Sequence, residues 1–148
     1  MNFVFFKDNI INIDYILYIV KNKKDIYENN IKKELYSLEY KFKDGKSIQE
    51  VFEKNTEVNK RLLDLKKILV NKKSAFIHFE GAIVSYEFIK LIRRVEKVLP
   101  GLEITIPVIE IIFVNGEKLQ EAFDNEKKLL GRIKQISLQI KSKKVLTK

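Results

Sequence analysis

The stretch Phe3–Lys21, FVFFKDNIINIDYILYIVK, returns 73 positions later as Phe76–Arg94, FIHFEGAIVSYEFIKLIRR. Phe3, Phe6, Ile10, Ile16 and Ile19 fall on Phe76, Phe79, Ile83, Ile89 and Ile92, with near-synonyms between them, such as Val4 on Ile77, Ile11 on Val84 and Asp14 on Glu87. Further along, at an offset of 71, Glu39, Phe42, Gly45, Gln49, Glu50 and Phe52 fall on Glu110, Phe113, Gly116, Gln120, Glu121 and Phe123. Matches in this order and spacing predict a tandem duplication, with repeats at 1–72 and 73–141, a join near Val70–Ser74 and a basic tail over 142–148. A unit of about 70 residues is marginal alone and leaves one face without cover. The two repeats are therefore expected to share one core in a single pseudo-twofold domain, with Phe6 and Phe79, and Phe52 and Phe123, at equivalent buried sites.

The local patterns predict an α+β fold. Each repeat opens with a short alternating segment, a turn at Asp8-Asn9 or Gly81, and a second apolar piece, which together read as a strand or small hairpin. After Ser85, a good N-cap, Phe88, Leu91, Ile92, Val95 and Leu99 recur at helical spacing up to Pro100-Gly101, which predicts an amphipathic helix. The matching segment over 13–22 carries Leu17 and Val20 where the second repeat has Lys90 and Arg93. That helix is apolar nearly all round, with a strand as the alternative. Next come strands at Glu34–Lys43 and Glu103–Val114; Pro107 favours an edge or a bulge in the second.

Asp44-Gly45 and Asn115-Gly116 are strong hairpin signals. A two-residue loop, however, sets Phe42 against Ser47, Tyr40 against Gln49 and Glu39 against Glu50, which is unfavourable. The same residues fit one helical face through Ile48, Val51, Phe52, Val58, Leu62, Leu65 and Leu69, matched by Leu119, Ala122, Phe123, Leu129, Ile133, Ile136 and Ile140. Long helices are accordingly predicted over 47–70 and 117–141. Each repeat then reads strand or hairpin, helix, strand and long helix, around an antiparallel or mixed sheet.

Composition narrows the chemistry. There is no cysteine, so disulfides and thiolate catalysis are excluded, and 25 of the 29 basic residues are lysine. The formal charge of +9 invites an anionic partner, but AT-rich codon usage produces the same profile of Lys, Asn and Ile. Lys7, Asp8 and Asp14 interrupt the N-terminal apolar run, and no uncharged stretch reaches the length of a membrane span, so a cytoplasmic protein is expected. The single histidine, His78, replaces Phe5 of the first repeat and reads as structural. Glu39, Glu50, Glu110 and Glu121 recur and could form a carboxylate cluster for Mg2+ or acid-base hydrolysis. Against this, Glu50 and Glu121 suit early helix turns, and Glu39 and Glu110 suit outward strand positions. Isolated Gly45 and Gly116 make no phosphate loop, and no serine lies in a nucleophile elbow.

No catalytic residue, cofactor or metal site is predicted. The leading expectation is a non-enzymatic binding protein that engages another protein, or itself, as a small regulator, adaptor or inhibitor, with Leu17 and Val20 as the candidate interface. The alternative is nucleic-acid binding by phosphate contacts through Lys90, Arg93, Arg94 and Lys97, supplemented by Lys66, Lys67, Lys72, Lys73 and the lysines of the tail. If the segments near Ile13 and Ser47 are strands, the layout resembles the repeated sheet-plus-helix plan of PUR-type single-strand binders, in layout only and without a shared motif. That resemblance implies a nucleic-acid partner.

Overall fold

The computed structural model describes residues 3–6, 8–70 and 76–146. They form two helices and three antiparallel sheets, an α+β arrangement. In chain order these are β1 (Phe3–Phe6), β2 (Asn9–Asn12), β3 (Ile16–Glu28), β4 (Ile31–Phe42), β5 (Ser47–Phe52), α1 (Asn55–Val70), β6 (Phe76–His78), β7 (Ala82–Ser85), β8 (Ile89–Leu99), β9 (Ile104–Phe113), β10 (Lys118–Ala122) and α2 (Glu126–Leu146). Single 3-10 turns at Ile13–Tyr15 and Tyr86–Phe88 lead into β3 and β8. The order strand, strand, 3-10 turn, three strands, helix thus occurs twice.

The chain divides into two compact units, Met1–Ser85 and Tyr86–Lys148. The boundary lies beyond the expected join, most of which falls outside the described residues, because β6 and β7 belong to the first unit's sheet. That sheet runs β5-β4-β3-β7-β6, and β1-β2 form a separate two-stranded ribbon. The first unit's core gathers Val58, Leu62, Leu65 and Leu69 of α1 with Ile16, Ile19, Leu38, Tyr40, Phe76 and Ile83, together with Val4, Ile11 and Ile13. The second unit's sheet is β10-β9-β8, and its buried residues include Ile109, Ile111, Phe113, Leu129 and Ile136.

Two expected helices are strands. After their 3-10 turns, residues 16–22 lie in β3 and residues 89–99 form β8; the helical spacing was produced by a β-bulge. The register of β3 on β4 shifts between Ile16 and Tyr18, and that of β8 on β9 shifts at the matching place, between Ile89 and Leu91. An extra residue reverses the phase of alternation, so Phe88, Leu91, Ile92 and Val95 imitate a 3.6-residue period. The β-branched content of Ile89, Ile92, Val95 and Val98 suits a strand.

The long helices begin later than expected, at Asn55 and Glu126, because residues 47–52 and 118–122 are hairpin strands. The objection to a hairpin assumed a two-residue loop. Gly45 and Gly116 instead adopt φ of 91° and 90°, adding a residue that ordinary side chains disfavour there. The register moves by one: Tyr40 meets Ile48, Glu39 meets Gln49 and Leu38 meets Glu50, and Ile111 meets Leu119, Glu110 meets Gln120 and Ile109 meets Glu121. Tyr40 and Ile111 now face apolar partners, and no carboxylate faces another. Asp44 and Asn115 accept the backbone N–H two residues on, at 2.9 and 3.0 Å, closing both turns alike.

Pro107 lies in β9, which is the central strand and not an edge. It is tolerated where pairing with β10 ends: Phe123 donates to the Pro107 carbonyl at 3.0 Å, and proline returns no N–H. At the corresponding position of the first unit Tyr36 pairs with Phe52, and β5 continues to that residue. Phe52 and Phe123 are both half-buried and Phe79 is buried, while the Phe6 side chain lies outside the described residues. The expected tail begins as helix, since α2 continues to Leu146.

Candidate functional site

The second unit has an open sheet edge where the first has a covered one. In the first unit β3 lies between β4 and β7, with Tyr18 opposite Val84, Ile19 opposite Ile83 and Val20 opposite Ala82. Ile16, Leu17, Tyr18 and Ile19 are all buried. In the second unit β8 pairs with β9 on one side, and among the described residues no strand pairs with the other. None of its residues is buried, and Leu91 is 44% exposed.

Along that edge runs a groove of about 510 Å³ lined by Tyr86, Glu87, Ile89, Lys90, Leu91, Ile92 and Ile140. The first unit shows what the groove lacks. Ile16, Ile19 and Leu69, at the positions corresponding to Ile89, Ile92 and Ile140, belong to one buried cluster with Ile83. The residue corresponding to Ile83 is Ile10 of β2, which is 65% exposed. Val4 and Ile11 bury the other face of that ribbon, leaving Phe5 and Ile10 opposite each other on the open face.

The candidate interface residues are placed differently from expectation. Leu17 is fully buried in β3, and Val20 is half-buried between Glu39 and Ala82. Neither lies on a helix, and Val20 sits between β4 and β7 within the sheet. The candidate anion contacts are not brought together either. Lys90, Arg93, Arg94 and Lys97 share a face on a helix, but neighbouring residues of a strand point to opposite faces.

Both arginines are engaged. Arg93 donates through Nε and Nη2 to Glu110 Oε1 at 2.9 and 2.7 Å, and Gln120 donates to Oε2 at 2.8 Å. Glu110 is only 5% exposed. The Gln120 amide and then the Arg93 guanidinium hold its carboxyl below the usual carboxylate range. Arg94 donates to both oxygens of Glu126 in the first turn of α2, at 2.8 and 2.6 Å, and lowers the pKa of that carboxyl. Lys90 and Lys97 are exposed. Lys66 donates to the Glu80 carbonyl at 3.0 Å, and Lys67 is exposed. Lys72, Lys73 and the side chains of the tail lysines lie outside the described residues.

The recurrent glutamates form separate ion pairs. Arg61 donates to Glu50 at 3.1 Å and Arg132 to Glu121 at 3.0 Å. The two pairs are related by the same offset of 71, a recurrence legible in the sequence once the arginines are aligned with the glutamates. Tyr40 also donates to Glu50, at 3.0 Å, and burial, reinforced by that carboxylate, pushes its phenol pKa well up. In the second unit Ile111 takes the place of Tyr40. Among the described residues no three His, Asp or Glu side chains gather as a metal site. His78 is half-buried on β6 opposite Ile83. Among the described residues no helix is long and apolar enough to cross a membrane. The groove residues Leu91 and Ile140 escaped sequence reasoning as a site, because an edge is defined by the strand missing beside it.

The sequence matches no protein-family model, no curated protein and no solved structure.

Proposed function

We propose that this is a non-enzymatic, cytoplasmic binding protein that arose by tandem duplication and holds an extended segment of a protein partner against the edge of β8. The observation that carries this reading is the contrast between β8, whose outer edge no described strand pairs and which has no buried residue, and β3, which pairs with β7 through Tyr18–Val20 and whose first four residues are all buried. Strand addition supplies backbone hydrogen bonds for affinity, and a pocket at alternate side chains supplies selectivity. The groove by Ile89, Ile92 and Ile140 is such a pocket for a branched aliphatic side chain.

A peptide copying residues 80–86 carries the β7 strand and serves as the probe. Titrated into the chain at low micromolar concentration, it is expected to shift the amide resonances of residues 89–95 and to lose affinity when its Ile83 equivalent is replaced by Asp. No perturbation at millimolar peptide would remove the reading.

A second reading, nucleic-acid binding, is favoured by one observation: residues 16–22 and 47–52 are strands, the condition under which the layout resembles the PUR-type plan. With Arg93 and Arg94 occupied by carboxylates, the contacts would fall to exposed lysines such as Lys90 and Lys97. Retention of single-stranded DNA or RNA at about 50 mM salt, lost steeply by 200 mM, tests it.

A further inference from the structure

We infer that a second copy of this chain supplies the strand, its β2 pairing antiparallel with β8 and its Ile10 entering the groove. This rests on the strand-addition reading and names the occupant. Three observations meet here. The β1-β2 ribbon corresponds, position for position, to β6-β7, the ribbon that covers β3. Carrying the β7-on-β3 register across by 73 residues sets Ile11 opposite Leu91, Ile10 opposite Ile92 and Asn9 opposite Arg93. The ribbon presents Phe5 and Ile10, each 65% exposed, on the face opposite Val4 and Ile11.

Each chain has one exposed ribbon and one open β8, so two copies that exchange ribbons reciprocally make a twofold dimer with two identical contacts. An apolar side chain without cover in one copy meets an apolar groove without a guest in the other. The pairing also removes an exposed sheet edge, which is a hazard for uncontrolled association.

The absence of native cysteine makes the test clean. Two separately tagged chains, one Ile10→Cys and the other Ile92→Cys, are mixed under mild oxidation. A disulfide-linked species containing both tags is expected from the mixture, because neither variant alone holds both thiols of the pair. In parallel, sedimentation of the cysteine-free chain is expected to show a dimer. Ile10→Lys should weaken it by about tenfold or more while leaving thermal unfolding measured at low concentration unchanged. Excess 80–86 peptide should dissociate the dimer.

A chain that stays monomeric at 100-micromolar concentrations, roughly the range of weak transient association, with no mixed disulfide, overturns the inference. If the peptide still binds in that case, the open edge serves another protein, and the reading of β8 stands without this occupant. A dimer unaffected by Ile10→Lys and by the peptide likewise overturns it.

Discussion

The strands β3 and β8 have related sequences, the same bulge and the same following hairpin, yet one is interior and the other is an edge. Ile16–Ile19 are buried in a strand that β7 joins at Tyr18–Val20; Ile89–Ile92 line an open groove, and no described strand pairs with that edge. The difference shows that burial here is set by the neighbour a strand acquires, more than by its own residues. It also accounts for the charge at corresponding positions: Leu17 is apolar under cover, and Lys90 is charged in the open.

That comparison is most sharply tested by exchanging those two side chains. Leu17→Lys buries an unpaired charge and should cost about 4 kcal/mol or more. Lys90→Leu should lie within about 0.5 kcal/mol. Chemical denaturation of both variants checks this, and equal effects would break the distinction between covered and open strands.

Trimming the isoleucine that meets the added strand gives the next largest effect. Ile19→Ala opens a cavity in a closed core and should cost about 2 to 5 kcal/mol. Ile92→Ala, measured at low concentration, should cost less than half as much, because solvent already reaches the groove.

The paired guanidiniums come third. Arg61→Ala leaves the nearly buried Glu50 without its cation and should destabilise by about 1 to 3 kcal/mol. Arg132→Ala should cost less, since the Glu121 side chain, 21% exposed against 11% for Glu50, recovers more hydration. Equal losses in thermal melts would show that the two pairs are energetically as well as geometrically alike.

The smallest expected effect is a pH dependence carried by Glu110 in the second unit. The Glu110 pKa is lowered in the folded chain, so its contribution is present above the unfolded carboxyl value of about 4.3. It is lost as pH falls through the lower folded value. Glu110→Gln should flatten this part of the acid titration of stability, and an acid profile of the variant identical to that of the unsubstituted chain would show that the carboxyl contributes nothing there.

Much of the architecture was legible. The two helices kept their apolar faces where the sequence placed them: Val58, Leu62, Leu65 and Leu69 are buried on α1, as are Leu129 and Ile136 on α2. The glycines at 45 and 116 marked real turns, and the error there lay in counting the loop residues. The candidate site was less legible. Arg93 and Arg94 stood out as a basic pair, but on a strand they diverge to separate carboxylates.

What the sequence by itself determined is the recurrence of positions, the turn chemistry and the helix faces, because each rests on residues within a few positions of one another. The strand state of 16–22 and 89–99 was decided by tertiary structure. A bulge makes the local period ambiguous, and only hydrogen bonds to β4 and β9 select the extended backbone. Tertiary structure also decided that β7 covers β3 while β8 stays open. That asymmetry is invisible in two matching stretches, because an edge is a property of the sheet and not of the strand.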